Sequence, residues 1–583
     1  MTTLAPSRPS QPATQSRVDV PRPTSRDQLD EAVARLQHGA RKFARLSLDD
    51  RIALARSMQA GYLKVAERSV EAACRAKGIP SGTPAEGEEW TAPSFVVRHL
   101  RLIQESLAAI RRAGNTPIGK VGRTIDARLA VQVFPTNRID GVLFNGVRVD
   151  VHLQPGISEE EMHASRARFY KHPDHDGRVV LVLGAGNINA IVSMDVLTKL
   201  FNEGKVCVVK MSPVNAYLGP FLEEAFADAI AQDFLAITHG GANEGEYLAH
   251  HPGIQEVHLT GSDKTFDLIV WGPPGADREA RKAQGRPLLD KPITAELGNV
   301  SPVIMVPGPY TEQQLLYQAE DVASGLIFNA SFNCNATKVL VTPKGWAQRE
   351  AFLAGVERAL SNAITRKAYY PGAAERWRAF SEGRPGIRRF GGPGEDILPW
   401  TLIPGIDADD RGERAFRTES FCPILFETQV GSRDPVEFLE QAVTFANDRL
   451  WGTLSAGLVV HPKAMKDPRL GEAVEGAILD LRYGAVSLNA WSGFVFAWGT
   501  PPWGPHPSST LSNIQSGQGW VHNSAMLEGI EKVVLRHPIA VRPKPVTFPT
   551  HRSAHRVMRR LTRLEERGSW SKLPGVLAAA MRA

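Results

Sequence analysis

The sequence predicts an α/β protein of two parallel-sheet domains joined by a bridging β element, and three observations predict it. Between Gly177 and Gly261, strand-like apolar runs at Val179–Leu183, Val206–Lys210 and Glu256–Leu259 alternate with helical patterns at Ser193–Phe201 and Tyr217–Ala231. A second alternation runs from Ser301 to about Asn489. Strands separated by helices pair in parallel, because the crossover must return the chain to the same end of the sheet. Outside both alternations, segments around Ala127–Leu153 alternate polar and apolar residues in the manner of half-buried strands.

In chain order, the first two dozen residues are rich in Ser, Pro, Thr and Gln and read as a disordered leader, residues 1–25. From Arg26 to Lys77 apolar residues recur at helical spacing, with Ser47 a candidate N-cap for the second run, and Ala92–Arg112 continues the helical pattern. Leu129–Val133, Gly141–Phe144 and Val147–Leu153 read as strands. The first α/β alternation completes a domain over 26–300. The second, over 301–519, has strands at Pro302–Val306, Lys338–Thr342, Ile424–Thr428 and Ala456–Val460, with helices at Glu312–Ile327, Ala347–Ala363 and Val436–Ala446. Lys367–Arg417 is dense in Gly, Pro, Arg and Asp and reads as a long irregular insertion. Residues 520–583 form a bridging segment and a basic extension.

Composition excludes several classes. With 583 residues, 43% hydrophobic and 22% charged, the chain is long enough for two or three domains with their own cores. Cys74, Cys207, Cys334 and Cys422 lie far apart with no CxxC spacing, which supports neither a metal site nor a disulfide framework and points to a reducing, cytoplasmic location. The longest apolar runs fall far short of the ~20 residues that cross a bilayer. The net charge of +6 resides in the tail, where from Glu531 onward Lys and Arg outnumber Asp and Glu by about nine.

An isolated cysteine is usually inert core, but Cys334 sits in the polar run Phe328-Asn329-Ala330-Ser331-Phe332-Asn333-Cys334-Asn335-Ala336-Thr337 between a helix and a strand, within reach of a substrate. Here the chain, from about Arg26 to about Gly519, resembles the aldehyde dehydrogenase superfamily. The Cys334 loop is similar to that family's catalytic cysteine segment, and Thr294-Ala295-Glu296-Leu297-Gly298 to its general-base segment. Gly186-Asn187-Ile188-Asn189 resembles the loop whose Asn completes the oxyanion hole, and Val208-Val209-Lys210 the lysine that holds the cofactor ribose. Glu419-Ser420-Phe421-Cys422-Pro423 resembles the Glu-x-Phe-x-Pro element at the nicotinamide ribose.

The resemblance implies that Cys334 attacks an aldehyde, Asn187 and the Cys334 backbone N–H stabilise the alkoxide, and Glu296 activates the water that cleaves the thioester. It assigns Lys210, Ser212, Gly261, Ser262, Glu419, Phe421 and Leu297 to the cofactor and no residue to a metal. Taken singly, each has an ordinary reading: Glu296 as a capping acid, Asn187 as a turn residue, Glu419 as an arginine partner, Lys210 as a solvated strand end. Their joint occurrence in the family's order favours the catalytic one.

Three departures bear on specificity. Gly184-Ala185-Gly186-Asn187-Ile188-Asn189 lacks the third glycine of a dinucleotide fingerprint, leaving the pyrophosphate to Gly261-Ser262 at a helix start, although Phe266 stands where many relatives carry a second Gly. Pro213 stands where many NAD-using relatives carry a Glu, so NAD and NADP are both open. Ser331-Phe332 replaces the usual Gly-Gln pair, and the aromatic run Phe494-Val495-Phe496-Ala497-Trp498 with Trp503 fits a tunnel for apolar aldehydes.

The expected reaction is oxidation of an apolar aldehyde to a carboxylate, with transfer of the acyl group to CoA as the near rival and a catalytically silent scaffold or membrane adaptor as the distant one. The resemblance implies a homodimer or homotetramer. The basic amphipathic run from Arg552 to Arg567 offers peripheral membrane contact or docking on a subunit, and no nucleic-acid fold accompanies its charge.

Overall fold

The computed structural model describes residues 21–392, 394 and 396–582, so that residues 1–20 of the expected leader lie outside the described residues. Two sheets organise the chain. The six-stranded sheet has the order Gly517–Gln518, Ile293–Glu296, Glu256–Thr260, Val179–Leu183, Val206–Lys210, Leu235–Thr238, parallel except for the first. Val179–Leu183 and Val206–Lys210 are buried throughout, because helices cover both faces, and such strands read as continuous apolar runs. Leu235–Thr238 and Ile293–Glu296 are four residues each, too short to show a period in the sequence.

The eleven-stranded sheet has a parallel centre of Ala485–Leu488, Ser455–Val459, Ser301–Met305, Thr337–Pro343, Ile424–Val430 and Trp400–Ile406. Ile530–Arg536 pairs in parallel with Ala485–Leu488, and Arg148–Leu153, Leu129–Phe134 and Val121–Arg123 follow in antiparallel order. The strands of the expected bridging element therefore continue the eleven-stranded sheet of their own chain.

Two sequence expectations are corrected. Gly141–Phe144 is not a strand: Arg138–Leu143 is a helix, because the Asn137 side chain accepts from the Ile139 and Asp140 N–H groups and satisfies its first donors. The stretch Lys367–Arg417 is not irregular throughout. It contributes the helix Ala373–Ser381 and the strands Arg388–Phe390 and Trp400–Ile406, which extend the catalytic sheet.

The helices Arg26–Ala44, Leu48–Lys77 and Thr91–Ala113 pack beside the six-stranded sheet, the second capped by Ser47 as its sequence predicts and ended by Gly78 at φ 65°. The extension forms the helices Ala554–Glu565 and Leu573–Ala580. Val557, Met558 and Leu564 are buried against the body, while Arg559 and Arg563 pair with Glu67 and Arg560 donates to the Gly575 carbonyl. The apolar face of the expected amphipathic helix is thus spent within the chain. Among the described residues, no helix is long and apolar enough to cross a membrane.

Candidate active site

The helix Glu312–Ile327, opened by a Thr311–Gln314 capping box, delivers the chain to a tight turn at Phe328–Ser331. There Asn329, Ala330 and Ser331 take φ of 53°, 53° and 69° in succession. A left-handed residue other than Gly costs about 1 kcal/mol, so the turn persists only if its surroundings enforce it. Asn329 supplies that enforcement: its Nδ2 donates to the carbonyls of Asn187 (3.1 Å) and Phe332 (2.8 Å), and its Oδ1 accepts from Lys77 Nζ at 3.0 Å. Cys334 follows, partly exposed, with its thiol 3.7 Å from Asn333 Oδ1 and the strand Thr337–Pro343 starting three residues later.

Glu296 ends its strand beside the thiol. Burial pushes its carboxyl up to about 7; the Cys334 thiol and the Trp503 indole N–H, which face it, offset this only in part, and Asp195 adds to it. Burial likewise raises the Cys334 thiol well above its ordinary value, and the Glu296 and Glu419 carboxylates raise it further. Burial thus favours the protonated form of both members, and the Glu296 carboxyl is the one that titrates near neutrality.

Asn187 lies after the strand Val179–Leu183. Its Nδ2 donates to the Phe332 carbonyl at 3.2 Å, and its own carbonyl accepts from Tyr369 Oη (2.9 Å), Asn329 Nδ2 (3.1 Å) and Lys77 Nζ (3.3 Å). Lys77 is itself buried and paired with Glu89 at 2.9 Å, and Glu89 accepts from Asn189 Nδ2 at 2.8 Å. One charged network thus fixes both the oxyanion loop and the turn before the cysteine.

A cleft of about 750 Å3 opens at the carboxyl ends of the six-stranded sheet and reaches Cys334 and Glu296. Of the residues that the resemblance assigns to the cofactor, Lys210, Ser212, Gly261, Ser262, Glu419 and Phe421 all line it. Leu297 does not: it is fully buried in the core, its N–H donating to the Ser516 carbonyl at 2.8 Å. The wall fits a dinucleotide. Glu419 Oε1 is buried without a partner, as an acceptor awaiting a ribose hydroxyl would be. A Cβ on Gly298 would run into the Glu419 carboxylate, and one on Gly186 would stand 2.5 Å from Ser212 Oγ, so the backbone itself forms the floor. Ser262 caps the helix Asp263–Trp271, whose first residues Asp263, Lys264 and Thr265 line the cleft, and a helix start there favours an anion such as phosphate.

On the other side of Cys334 lies a smaller cavity of about 110 Å3, walled by Phe95, Phe328, Trp491, Phe494, Trp498 and Trp503 among others. Phe494, Phe496 and Trp498 reach it from the helix Gly493–Trp498, whereas Val495 turns into the core. Phe494 stacks on Trp498 at 5.9 Å, and Trp498 on Phe134 at 4.2 Å.

Sequence reasoning missed Lys77, Glu89, Asn329 and Tyr369; the bonds from Lys77 to Asn187 and Asn329 alone span 110 and 252 positions of chain. It also missed Tyr370 and Arg376, which reach the cleft from the segment read as an insertion. A buried lysine and glutamate twelve residues apart carry no local signal beyond their helical setting.

Residues 165–368 match the model of the aldehyde dehydrogenase family. Aldehyde dehydrogenase LUC3 of Fusarium sp is 28% identical over 137 residues, which is 24% of this chain and 26% of that one. Aminoacetaldehyde dehydrogenase of Pseudomonas aeruginosa is 24% identical over 238 residues, 38% of this chain and 42% of that one. The chain thus spans less than half the length of these curated relatives. Aldehyde dehydrogenase C of Pseudomonas syringae, solved with NAD+ and octanal, superposes over 87% of this chain and 88% of that one with a TM-score of 0.58 at 17% identity, a likeness of fold.

Proposed function

We propose, for a chain whose residues 165–368 match the model of the aldehyde dehydrogenase family, the NAD- or NADP-dependent oxidation of an apolar aldehyde to its carboxylate. One observation carries the reading: Cys334 sits where a dry aromatic cavity meets a polar cleft, against a carboxyl whose pKa of about 7 suits a general base.

The aldehyde's apolar part occupies the aromatic cavity and brings its carbonyl carbon to Cys334. Glu296 takes the thiol proton as sulfur bonds to that carbon. The alkoxide of the thiohemiacetal is held by the Cys334 N–H and the Asn187 side-chain amide, and donors of this kind each contribute about 3 kcal/mol to such a step. Lys210, Ser212, Glu419 and the Ser262 helix start would hold NAD or NADP, which would supply the acceptor for the hydride that leaves the same carbon. Glu296 passes the thiol proton to solvent, takes a proton from water as its oxygen attacks the thioester, and returns it to the departing Cys334 sulfur; the acid released ionises to the carboxylate.

A panel of aldehydes assayed with NAD and with NADP, with and without CoA, tests this. The expected result is CoA-independent NAD(P)H production that Cys334→Ala abolishes. Equal nonzero rates for both proteins overturn the nucleophile assignment, strict dependence on CoA overturns hydrolysis, and no turnover of any aldehyde favours a silent scaffold. Cytoplasmic residence and assembly into a homodimer or homotetramer complete the reading, checked by fractionation and by light scattering.

A further inference from the structure

The aromatic cavity does not end within the family-like body. Part of its wall is made by Val546, Met558 and Leu561, residues of the extension that follows the last strand of the large sheet, Ile530–Arg536. We infer that this C-terminal extension is the end stop of the aldehyde tunnel, so that Met558 and Leu561 set the longest unbranched apolar aldehyde accepted. The inference rests on the proposed function and deepens it.

The extension is built as a fixed wall. Gln318 Nε2 donates to the Ile539 carbonyl at 2.8 Å, Lys544 Nζ reaches Glu320 Oε2 at 2.8 Å, and Thr550 N–H donates to Glu320 Oε1 at 3.2 Å, so the connecting segment is tied to the helix Glu312–Ile327. At the other end Glu565 accepts from Arg98 Nη1 at 2.9 Å and Arg101 Nη2 at 2.7 Å, and Arg98 also holds Asp140, all four buried. The start of the helix Ala554–Glu565 sits so close on Gly87 that a Cβ there would lie 2.8 Å from the Ala554 carbonyl carbon. Met558 and Leu561, three residues apart, share the face turned to the cavity. Every charge at this end has a protein partner, leaving the tunnel floor no free ion to welcome a polar tail.

Each methylene that fits adds about fourfold to kcat/KM, and the gain stops where the chain meets the wall. The experiment is a series of n-alkanals of increasing length, with kcat/KM measured for the wild type, for Met558→Ala, Leu561→Ala and their double variant, and for Leu561→Trp. The truncations are expected to move the optimum two to three carbons longer, with about tenfold gains for chains beyond the wild-type optimum, and Leu561→Trp to shorten it. Arg556→Ala, on the exposed side of the same helix, is expected to leave the profile unchanged. Affinity of n-alkanols, followed by quenching of tunnel tryptophan fluorescence, reads the same profile without turnover. If the wild type oxidises no aldehyde, the proposed function fails while the alkanol series still tests the wall. If the wild type is active, or binds alkanols, with the same length profile in every variant, the end-stop inference is overturned.

Discussion

On one side of Cys334 lies a cavity of about 110 Å3 walled by aromatic rings, and on the other a cleft of about 750 Å3 walled by backbone, hydroxyls and charged groups. The smaller space offers mostly apolar surface, so what it accepts is decided chiefly by size. The larger offers an unpaired carboxylate oxygen, a lysine and a helix N-terminus, so what it accepts is decided by hydrogen bonds and charge. The reacting pair stands at the boundary, where poor hydration from the dry side raises both the thiol and the Glu296 carboxyl. On the proposed function, specificity for the aldehyde and for the cofactor would be divided between two chemistries that meet at one sulfur.

Substitutions that act on one side only sharpen this division, and the largest effect is expected at the boundary. Glu296→Gln should lower kcat by about 10²- to 10⁴-fold and slow the NAD(P)H-forming step as well, and the rise of wild-type kcat through pH 7 should vanish with it. Stability gives an independent check of sign. A carboxyl raised in the folded state from 4.5 to about 7 favours folding while protonated, and that contribution is lost as pH rises between those values. Thermal melts of Glu296→Gln should therefore lack this part of the wild-type decline. Next, Asn187→Ala should cost about 10²- to 10³-fold in kcat with little change in either KM, because its amide acts on the alkoxide rather than on either bound molecule.

On the dry side, Glu565→Ala strips a partner from two buried arginines and should destabilise the protein by about 3 kcal/mol, read from denaturant midpoints. Cofactor KM values should be unchanged in the surviving folded fraction. If they move with the aldehyde profile, the two spaces are not independent. On the polar side and smallest, Pro213→Glu should raise KM for NADP about tenfold by placing a carboxylate in the cleft wall, and leave the aldehyde length profile untouched.

Much of the frame is legible in the residues because it follows from short-range rules. Val179–Leu183 and Val206–Lys210 are apolar without interruption since both faces are covered, and Glu312–Ile327 carries its cap in its first four residues. The reading fails where a local rule is overridden or silent. Gly141–Phe144 has the composition of a strand, but the Asn137 cap upstream turns the segment into a helix. Trp400–Ile406 holds its place in the sheet by pairing with Ile424–Val430, a partner its own sequence does not announce.

The same boundary runs through the site. By itself the sequence determined which side chains stand in short recognisable runs, Cys334, Glu296, Asn187, Lys210, Ser212, Gly261, Ser262 and Glu419, and the resemblance they carry assigns them the nucleophile, base, oxyanion and cofactor roles. Only the tertiary structure decided that Lys77 and Glu89 tie down the loop of Asn187, that Leu297 is buried in the core, and that Val546, Met558 and Leu561 of the tail line the aromatic cavity. The physical reason is that buried charge pairing and cavity walls join residues hundreds of positions apart, where neither periodicity nor spacing leaves a trace.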